Sequence, residues 1–353
     1  MTRRQNEIPT AIKRENHGLN GDTGEKFPQV PEIVQVIEPP RGWAWVDWRE
    51  LWRYRELFGF FVWRDIKVKY KQTLLGAAWA ILVPFFQMVI FSLIFGGIAG
   101  LPTNGLPRPV FYFAGLLPWT YFATSLGMAS QSMVQTGNIL TKIYFPRLIV
   151  PTAPCIASVL DLAIAFVILI AMMLYYHIVP ATASLLLPVL ILIAFGTAAG
   201  ASFFLSALNV KYRDVRYVVP FLIQVWMYCT VIIPFSSIPE RFGKWRYLYG
   251  LNPMAGVVEG FRWCLAHHKM FIADKVTTLI EGNVLPQTLA PGRSISVETA
   301  LNGTFKTYLV ETMNTPVDPP WILIGISIPV MLLVLSFGLY YFKRMESQFA
   351  DVV

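Results

Sequence analysis

The chain has 353 residues, 55% of them apolar and only 14% charged, with a mean hydropathy of +0.51. That balance excludes an ordinary soluble enzyme and indicates an integral membrane protein. A formal charge of +8 would suggest nucleic acid as partner of a soluble chain, but here the basic residues cluster beside apolar runs, where they set orientation and meet lipid headgroups.

Residues 1–46 are polar and carry Pro and Gly, so a mostly disordered cytoplasmic segment without a cleavable signal peptide is expected. Residues 47–72 predict an amphipathic helix in the membrane interface. Leu51, Tyr54, Phe58, Phe61, Val62 and Ile66 recur at three- and four-residue steps. Arg49, Arg53, Glu56, Arg64, Lys67 and Lys71 line another face, and Trp48, Trp52 and Trp63 suit headgroup level. Such a helix is either a plain anchor or a collar at the cytoplasmic mouth that meets a partner or an incoming substrate.

Residues 73–353 read as one domain of six transmembrane helices. The expected spans are Leu74–Ile98, Val110–Met133, Ala153–His177, Ser184–Leu208, Val218–Ile238 and Trp321–Phe342, each able to cross about 30 Å of hydrocarbon. Lys and Arg gather before span one, between spans two and three, between four and five, and after six, which places both termini in the cytoplasm by the positive-inside rule. The expected fold class is an all-α membrane protein with an N-terminal interface helix and two short re-entrant periplasmic helices between spans five and six. Residues 267–320 form an external insertion.

No phosphate-binding loop, zinc-protease motif or nucleophile elbow occurs, so no catalytic residue, bound cofactor or metal is expected and the chain is not expected to be an enzyme. Cys155, Cys229 and Cys264 have no redox or metal spacing. His267 and His268 lack further ligands.

Five further places carry information. The loop Asn138–Pro151 (NILTKIYFPRLIVP) mixes aromatic and basic residues and ends in prolines expected to stop a helix. A short helix there would present Ile143, Tyr144 and Phe145 with Lys142 and Arg147 to the cytosol, a composition typical of interface hot spots. Lys211–Tyr217 (KYRDVRY) has the same character. In the external segment Asn252 and Pro253 form a helix start, and Glu259 and Arg262 are spaced to pair, for structure or for gating. Asp161, the acidic residue well inside a span, either locks helices together or belongs to the pathway. Gly196 and Gly200 allow another helix to approach closely.

These segments together resemble the polysaccharide-export branch of the type 2 ABC exporter permeases, which serve O-antigen, capsule and teichoic acid export. The resemblance lies in PPRGW at Pro39–Trp43, ELWRYREL at Glu50–Leu57, VWRDIKVKYKQTLLGAAWAILVP at Val62–Pro84 and FAGLLPW at Phe113–Trp119. It continues through NILTKIYFPR at Asn138–Arg147, NVKYRDVRY at Asn209–Tyr217, LNPMAGVVEGFR at Leu251–Arg262 and the ending YFKRMESQFADVV. It implies a homodimer in the bacterial inner membrane bound to two copies of a separate subunit that holds ATP and Mg and hydrolyses the nucleotide. The substrate it implies is a lipid-linked polysaccharide threaded between the two permease subunits.

The resemblance also implies site residues. Asn138, Thr141, Lys142, Ile143, Tyr144, Phe145, Pro146 and Arg147 would couple to the ATPase, joined by Lys211, Tyr212, Arg213, Asp214 and Arg216. The gate helix would use Trp52, Arg53, Tyr54, Phe58, Phe61, Trp63, Arg64, Asp65, Lys67 and Lys69, and Asn252, Pro253, Glu259 and Arg262 would close the periplasmic end. Candidate pathway groups are Tyr112, Trp119, Tyr121, Phe122, Trp226 and Tyr228, with Asp161. The rivals are a drug or lipid exporter of the same architecture, an ion-driven transporter, which would need intramembrane ionisable groups and a repeat, and a membrane-bound sugar transferase.

Overall fold

The structure, a computed structural model, describes residues 48–71, 78–140, 142–232, 234–235, 238, 240–266, 271–279, 294–299, 307–346 and 349. The segment expected to be disordered, residues 1–46, lies outside these, as do Thr141 and His267–His268.

Two helices open the described chain, α1 (Trp48–Arg53) and α2 (Arg55–Tyr70), separated only by Tyr54. Their partly buried positions, Leu51, Tyr54, Phe58, Val62 and Ile66 around a buried Phe61, are the stripe that the sequence periodicity picks out. Next comes α3 (Ala78–Phe91), which widens into a π-helical turn at Ser92–Ile98. The long α4 (Arg108–Gln135) and the four-residue α5 (Gly137–Leu140) precede α6 (Ile149–Ala157) and α7 (Val159–Tyr175). A 3-10 turn at Thr182–Leu186 leads into α8 (Leu187–Lys211), and α9 (Val215–Met227) ends in a second π-helical turn, Tyr228–Ile232. After a 3-10 segment at Glu240–Leu251, kinked at Gly243, come α10 (Pro253–Ala266) and finally α11 (Trp321–Met345).

Among the described residues five segments are long and apolar enough to cross a membrane: Ile81–Ile98, Ile149–Tyr175, Thr182–Lys211, Val215–Ile232 and Trp321–Met345. The chain is therefore a multi-pass membrane protein. Helix α4, the expected second span, has 28 residues, which at 1.5 Å each is about 42 Å. It is less apolar because most of its surface is covered by protein: Phe111, Tyr112, Leu116, Trp119, Phe122 and Met133 are all buried. A helix shielded from lipid needs no continuous apolar surface.

Two expectations require correction. Pro151 does not stop a helix; it sits in the first turn of α6, where its missing N–H costs nothing, and Pro154 follows inside the same helix. The membrane body is helical, but the all-α class fails outside it. Strands β1 (Phe271–Leu279), β2 (Ser294–Thr299) and β3 (Thr307–Pro316) form an antiparallel sheet in the order β1-β3-β2, with Val276 opposite Glu311 and Val297 opposite Leu309. The β-branched and aromatic content of these runs (Val276, Thr277, Thr278; Ile295, Val297; Thr307, Tyr308, Val310) favours strand over helix.

The core forms two clusters. The larger surrounds α4 and gathers Tyr112, Trp119 and Phe122 with Leu169 of α7, Leu190 of α8 and Phe261 of α10. The smaller lies at the α2 end and joins Phe61 to Phe145, Ile149, Phe203, Phe342 and Phe349. The most extensive helix pair is α8 with α11, made possible by small residues. Gly196 faces the Met331 side chain, and Gly200 lies against the backbone of Val334 and Leu335 and against Gly338. The close approach expected of the Gly196/Gly200 pair is thus realised against α11.

Candidate functional site

At the α2 end, three stretches distant in sequence converge on the loop after α5. The expected loop helix is only Gly137–Leu140; residues 142–147 form an irregular turn. Lys142, Ile143 and Tyr144 point outward, while Phe145 and Pro146 turn in and are buried. Phe145 packs its ring on Phe61 of α2 at 5.5 Å between centroids. The Tyr144 hydroxyl donates to the Glu50 carboxylate of α1 at 3.4 Å. Burial first, then Glu50, raises the Tyr144 pKa above its ordinary value, so the phenol stays a donor. Arg147 donates to the Glu346 backbone carbonyl beyond α11 and lies 5.9 Å from the Phe349 ring centroid, which itself packs edge-on against Phe342. The result is an exposed ledge, Lys142–Tyr144, on an apolar base built by α2, α6 and the end of α11.

Of the loop residues expected to be presented, Phe145 and Arg147 are instead committed to holding the ledge. Asn138 lies within α5. The contributions of Glu50, Glu346 and Phe349 were missed by sequence reasoning. Phe342, Met345 and Phe349 fall at three- and four-residue steps, a periodicity that carries the apolar face of α11 past the end of the membrane run.

The outward face of the α1–α2 pair exposes Trp52, Phe60, Trp63 and Val68. Arg53 is also exposed, whereas Tyr54 and Phe58 are half-buried. Lys67 lies 5.6 Å over the Trp63 ring and Arg64 4.6 Å over Phe61. Asp65 is buried and accepts from Arg64 at 2.8 Å; burial raises its carboxyl pKa, opposed by Arg64. At the end of α2, the Lys69 ammonium and the Tyr70 hydroxyl both reach Asp161 of α7, one on each carboxylate oxygen. Burial and the Asp161 charge raise the Tyr70 pKa, keeping its proton in this contact. Asp161 therefore joins the end of an interface helix to a span. An ion-driven transporter would need this carboxylate for its ion, and here a Lys occupies it.

The second loop, Lys211, Tyr212, Arg213, Asp214 and Arg216, is exposed at each of these residues, with Lys211 over the Tyr212 ring at 5.2 Å and Arg216 donating to the Tyr217 hydroxyl at 2.8 Å.

At the opposite end, α10 is buried along almost its whole length. Asn252 caps it, its Oδ1 accepting the Met254 N–H at 3.1 Å with Pro253 in the first helical position, as expected. The Asn252 amide also donates to Thr230 Oγ1 at 2.7 Å. Arg262 is wholly buried. Nη1 donates to Glu259 at 3.0 Å, Nε to the Phe111 carbonyl at 3.3 Å and Nη2 to the Val231 carbonyl at 2.5 Å. Its guanidinium stacks 4.0 Å from the Phe111 ring centroid, and Glu259 accepts the Phe235 N–H at 3.2 Å. The wider π-helical turn leaves the Cys229, Thr230 and Val231 carbonyls to accept from Tyr249 and Arg262. One cation thus ties α4, the end of α9 and α10 together.

The candidate pathway rings are mostly internal. Tyr112, Trp119, Tyr121 and Phe122 are buried within the subunit, and Trp119 and Phe122 form one cluster with the half-buried Trp226, which meets both edge-to-face, with centroids 5.2–6.0 Å apart. Tyr228 is the candidate ring that reaches the surface. It belongs to a stripe on span five that sequence reading missed: Tyr217, Phe221, Gln224 and Tyr228 are all exposed and spaced by four, three and four residues. Among the described residues, no three His, Cys, Asp or Glu side chains are grouped to hold a metal.

The chain is similar to the O-antigen export system permease protein RfbA of Myxococcus xanthus, 28% identical over 239 residues that make up 67% of this chain and 90% of that protein. It is similar also to RfbA of Klebsiella pneumoniae, 29% identical over 204 residues (56% of this chain, 76% of that one). The polysialic acid transport protein KpsM of Escherichia coli is 27% identical over 204 residues, with the same coverage. Residues 56–266, from α2 to the end of α10, match the family described as ABC-2 type transporter. With more than half its length matched, from the interface helix through the buried Arg262 node, the chain belongs to the ABC-2 type transporter membrane family.

Proposed function

We propose that this chain is the membrane half of an ATP-driven exporter of a lipid-linked polysaccharide, of the O-antigen or capsule kind, in the bacterial inner membrane with both termini cytoplasmic. Helix α4 is the sixth span. Two copies form the channel between them, and each binds a separate ATPase subunit that holds ATP and Mg. The substrate class rests on the relatives, which are named for O-antigen and polysialic acid transport.

The observation that carries the coupling role is the ledge Lys142–Tyr144, outward-facing side chains on a base fixed by Phe145 and Arg147. An aromatic and an aliphatic side chain held out beside a Lys suit a protein partner. Exposed Lys211, Tyr212, Arg213, Asp214 and Arg216 add a second, more polar contact. A homodimer is supported by α9, whose outward stripe contains Gln224. An amide facing lipid is disfavoured, and the same group suits a second subunit or a wet path. Flat rings at Tyr217, Phe221 and Tyr228 would lie against sugar C–H faces without selecting one sugar. The α10 helix and the 3-10 segment before it dip from the outer face and close that end.

Affinity purification of the tagged chain from its host tests the reading. An ATPase subunit should copurify, and deleting the chain should stop glycan export; export that continues without it would sink the assignment. Replacing Ile143 and Tyr144 together by Ala should weaken ATPase binding by about tenfold or more, as expected for two interface anchors worth over 1 kcal/mol each. Unchanged copurification of that variant would remove the ledge from the interface.

A further inference from the structure

We propose that Asp161 is a positioning residue through which the coupling ledge moves the interface helix, so that α2 travels with span three. The inference rests on the reading of the chain as an ATP-driven permease, and concerns how motion at the ledge reaches the cytoplasmic mouth.

The ledge leads through Phe145–Leu148 into α6, and α6 into α7 across Ser158 alone. That junction is stiff. The Ser158 N–H donates to the Pro154 carbonyl at 3.0 Å, its hydroxyl to the same carbonyl at 2.9 Å, and the Leu162 N–H to Ser158 at 3.2 Å. A displacement of the ledge is therefore passed along one rod as far as Asp161. Helix α2 packs chiefly on α6 and meets the rod twice: at Phe61 on Phe145, and at its last turn, where Lys69 and Tyr70 take the two oxygens of Asp161.

A carboxylate twelve residues into a membrane span is costly unless paired. Apolar contact alone would hold α2 against α6, but would let it slide. The contact is partly buried, and a carboxylate engaged on both oxygens by consecutive residues fixes one register, the best-attested use of such ionic contacts. The Asp161 contact thus makes the end of α2 follow span three rather than span one, which follows it in sequence.

The test uses the full complex with its ATPase subunit in lipid nanodiscs. The background is Cys229→Ser, because Cys155 and Cys264 are buried while Cys229 is exposed. Spin labels are placed at the exposed positions Val68→Cys, Val167→Cys on α7 and Leu332→Cys on α11. With Asp161 intact, the 68–167 distance should stay constant between nucleotide-free and ATP-bound states while the 68–332 distance changes. In Asp161→Asn the 68–167 distance should vary with nucleotide, and export should fall about tenfold, the upper part of the range for a coupling residue that touches neither ligand. ATPase binding should persist. Lys69→Met and Tyr70→Phe, on the other side of the contact, should each reproduce part of the loss and combine non-additively with Asp161→Asn, which keeps the test open if Asp161→Asn folds poorly. A 68–167 distance that changes with nucleotide in the intact protein, a constant 68–332 distance, or full export by the variants would overturn the proposal. Failure of the unaltered chain to bind any ATPase subunit would instead overturn the permease reading beneath it.

Discussion

Replacing Glu259 by Ala should destabilise the protein by about 3–5 kcal/mol, the cost of leaving a buried cation without its counter-charge. Arg262 has no exposed surface, and Glu259 is the carboxylate that meets it. Removing the carboxylate also strands the Phe235 N–H, which donates to Glu259. Arg262→Met should be as harmful by a different route. It leaves Glu259 without its cation inside the protein and removes the guanidinium from the Phe111 and Val231 carbonyls; Phe111, inside α4, keeps its helical bond, while the Val231 carbonyl, at the end of its helix, loses a buried partner at a cost of about 1–3 kcal/mol. Arg262→Lys will not substitute, because an ammonium cannot reach three acceptors in the fork geometry that the guanidinium spans here. The double change Glu259→Leu with Arg262→Met should recover much of the loss, since removing both charges removes the desolvation penalty as well. Thermal unfolding of the purified protein in detergent, followed by tryptophan fluorescence, measures all four variants. A Glu259→Ala protein as stable as the parent would show that the pair is not buried in the working protein. Export assays on the folded double variant then ask whether the tie between α4, α9 and α10 must be ionic for the outer end to operate.

How much of this was legible from residues alone depends on the kind of signal each feature leaves. Periodicity and length leave strong ones: the α2 stripe around Phe61, the apolar runs and the capping pair Asn252–Pro253 all stand in the structure where the spacing puts them. Contacts between distant segments leave almost none. That Lys69 and Tyr70 would find Asp161, or that Arg147 would reach past α11 to Glu346, depends on how helices pack and not on any local pattern. Aromatic residues misled for a related reason. Tyr112, Trp119, Tyr121 and Phe122 look like a pathway in sequence because flat rings can stack on sugar C–H faces. Burial of α4 on nearly all sides turns those same rings into the core. The stripe Tyr217, Phe221, Gln224 and Tyr228 went unread because it straddles the expected start of span five. The insertion is legible as an added segment but not as a sheet, because its strands are short and separated by turn-rich sequence, and alternation over six to ten residues is a weak signal.

The second large effect falls on α8 and α11. A Cβ on Gly338 would land on the Gly200 carbonyl oxygen, and one on Gly200 would meet the Leu335 backbone at 2.5 Å. Neither obstacle is a side chain that can rotate away. The two helices would have to separate, and they make the most extensive helix contact of the chain. Between membrane helices the gain comes from close packing rather than from exclusion of water, so separation forfeits the attraction along the whole seam. Gly338→Leu should therefore cost at least about 3 kcal/mol, the top of the usual range for overpacking. Gly325, on the same helix, serves as control: a Cβ there meets nothing within 4 Å, and Gly325→Ala should be neutral or slightly stabilising by about 0.5–1 kcal/mol, the helix-propensity gain. Both are read as unfolding temperature in detergent alongside the amount of protein inserted in the membrane. If Gly338→Leu unfolds at the same temperature as the parent, α8 and α11 do not cross at the Gly200–Gly338 contact. The distinction matters for function, because α11 ends in Phe342, Met345 and Phe349, the residues that help support the ledge. A seam that holds α11 against α8 therefore sets the position of the frame past which the ledge and α2 move.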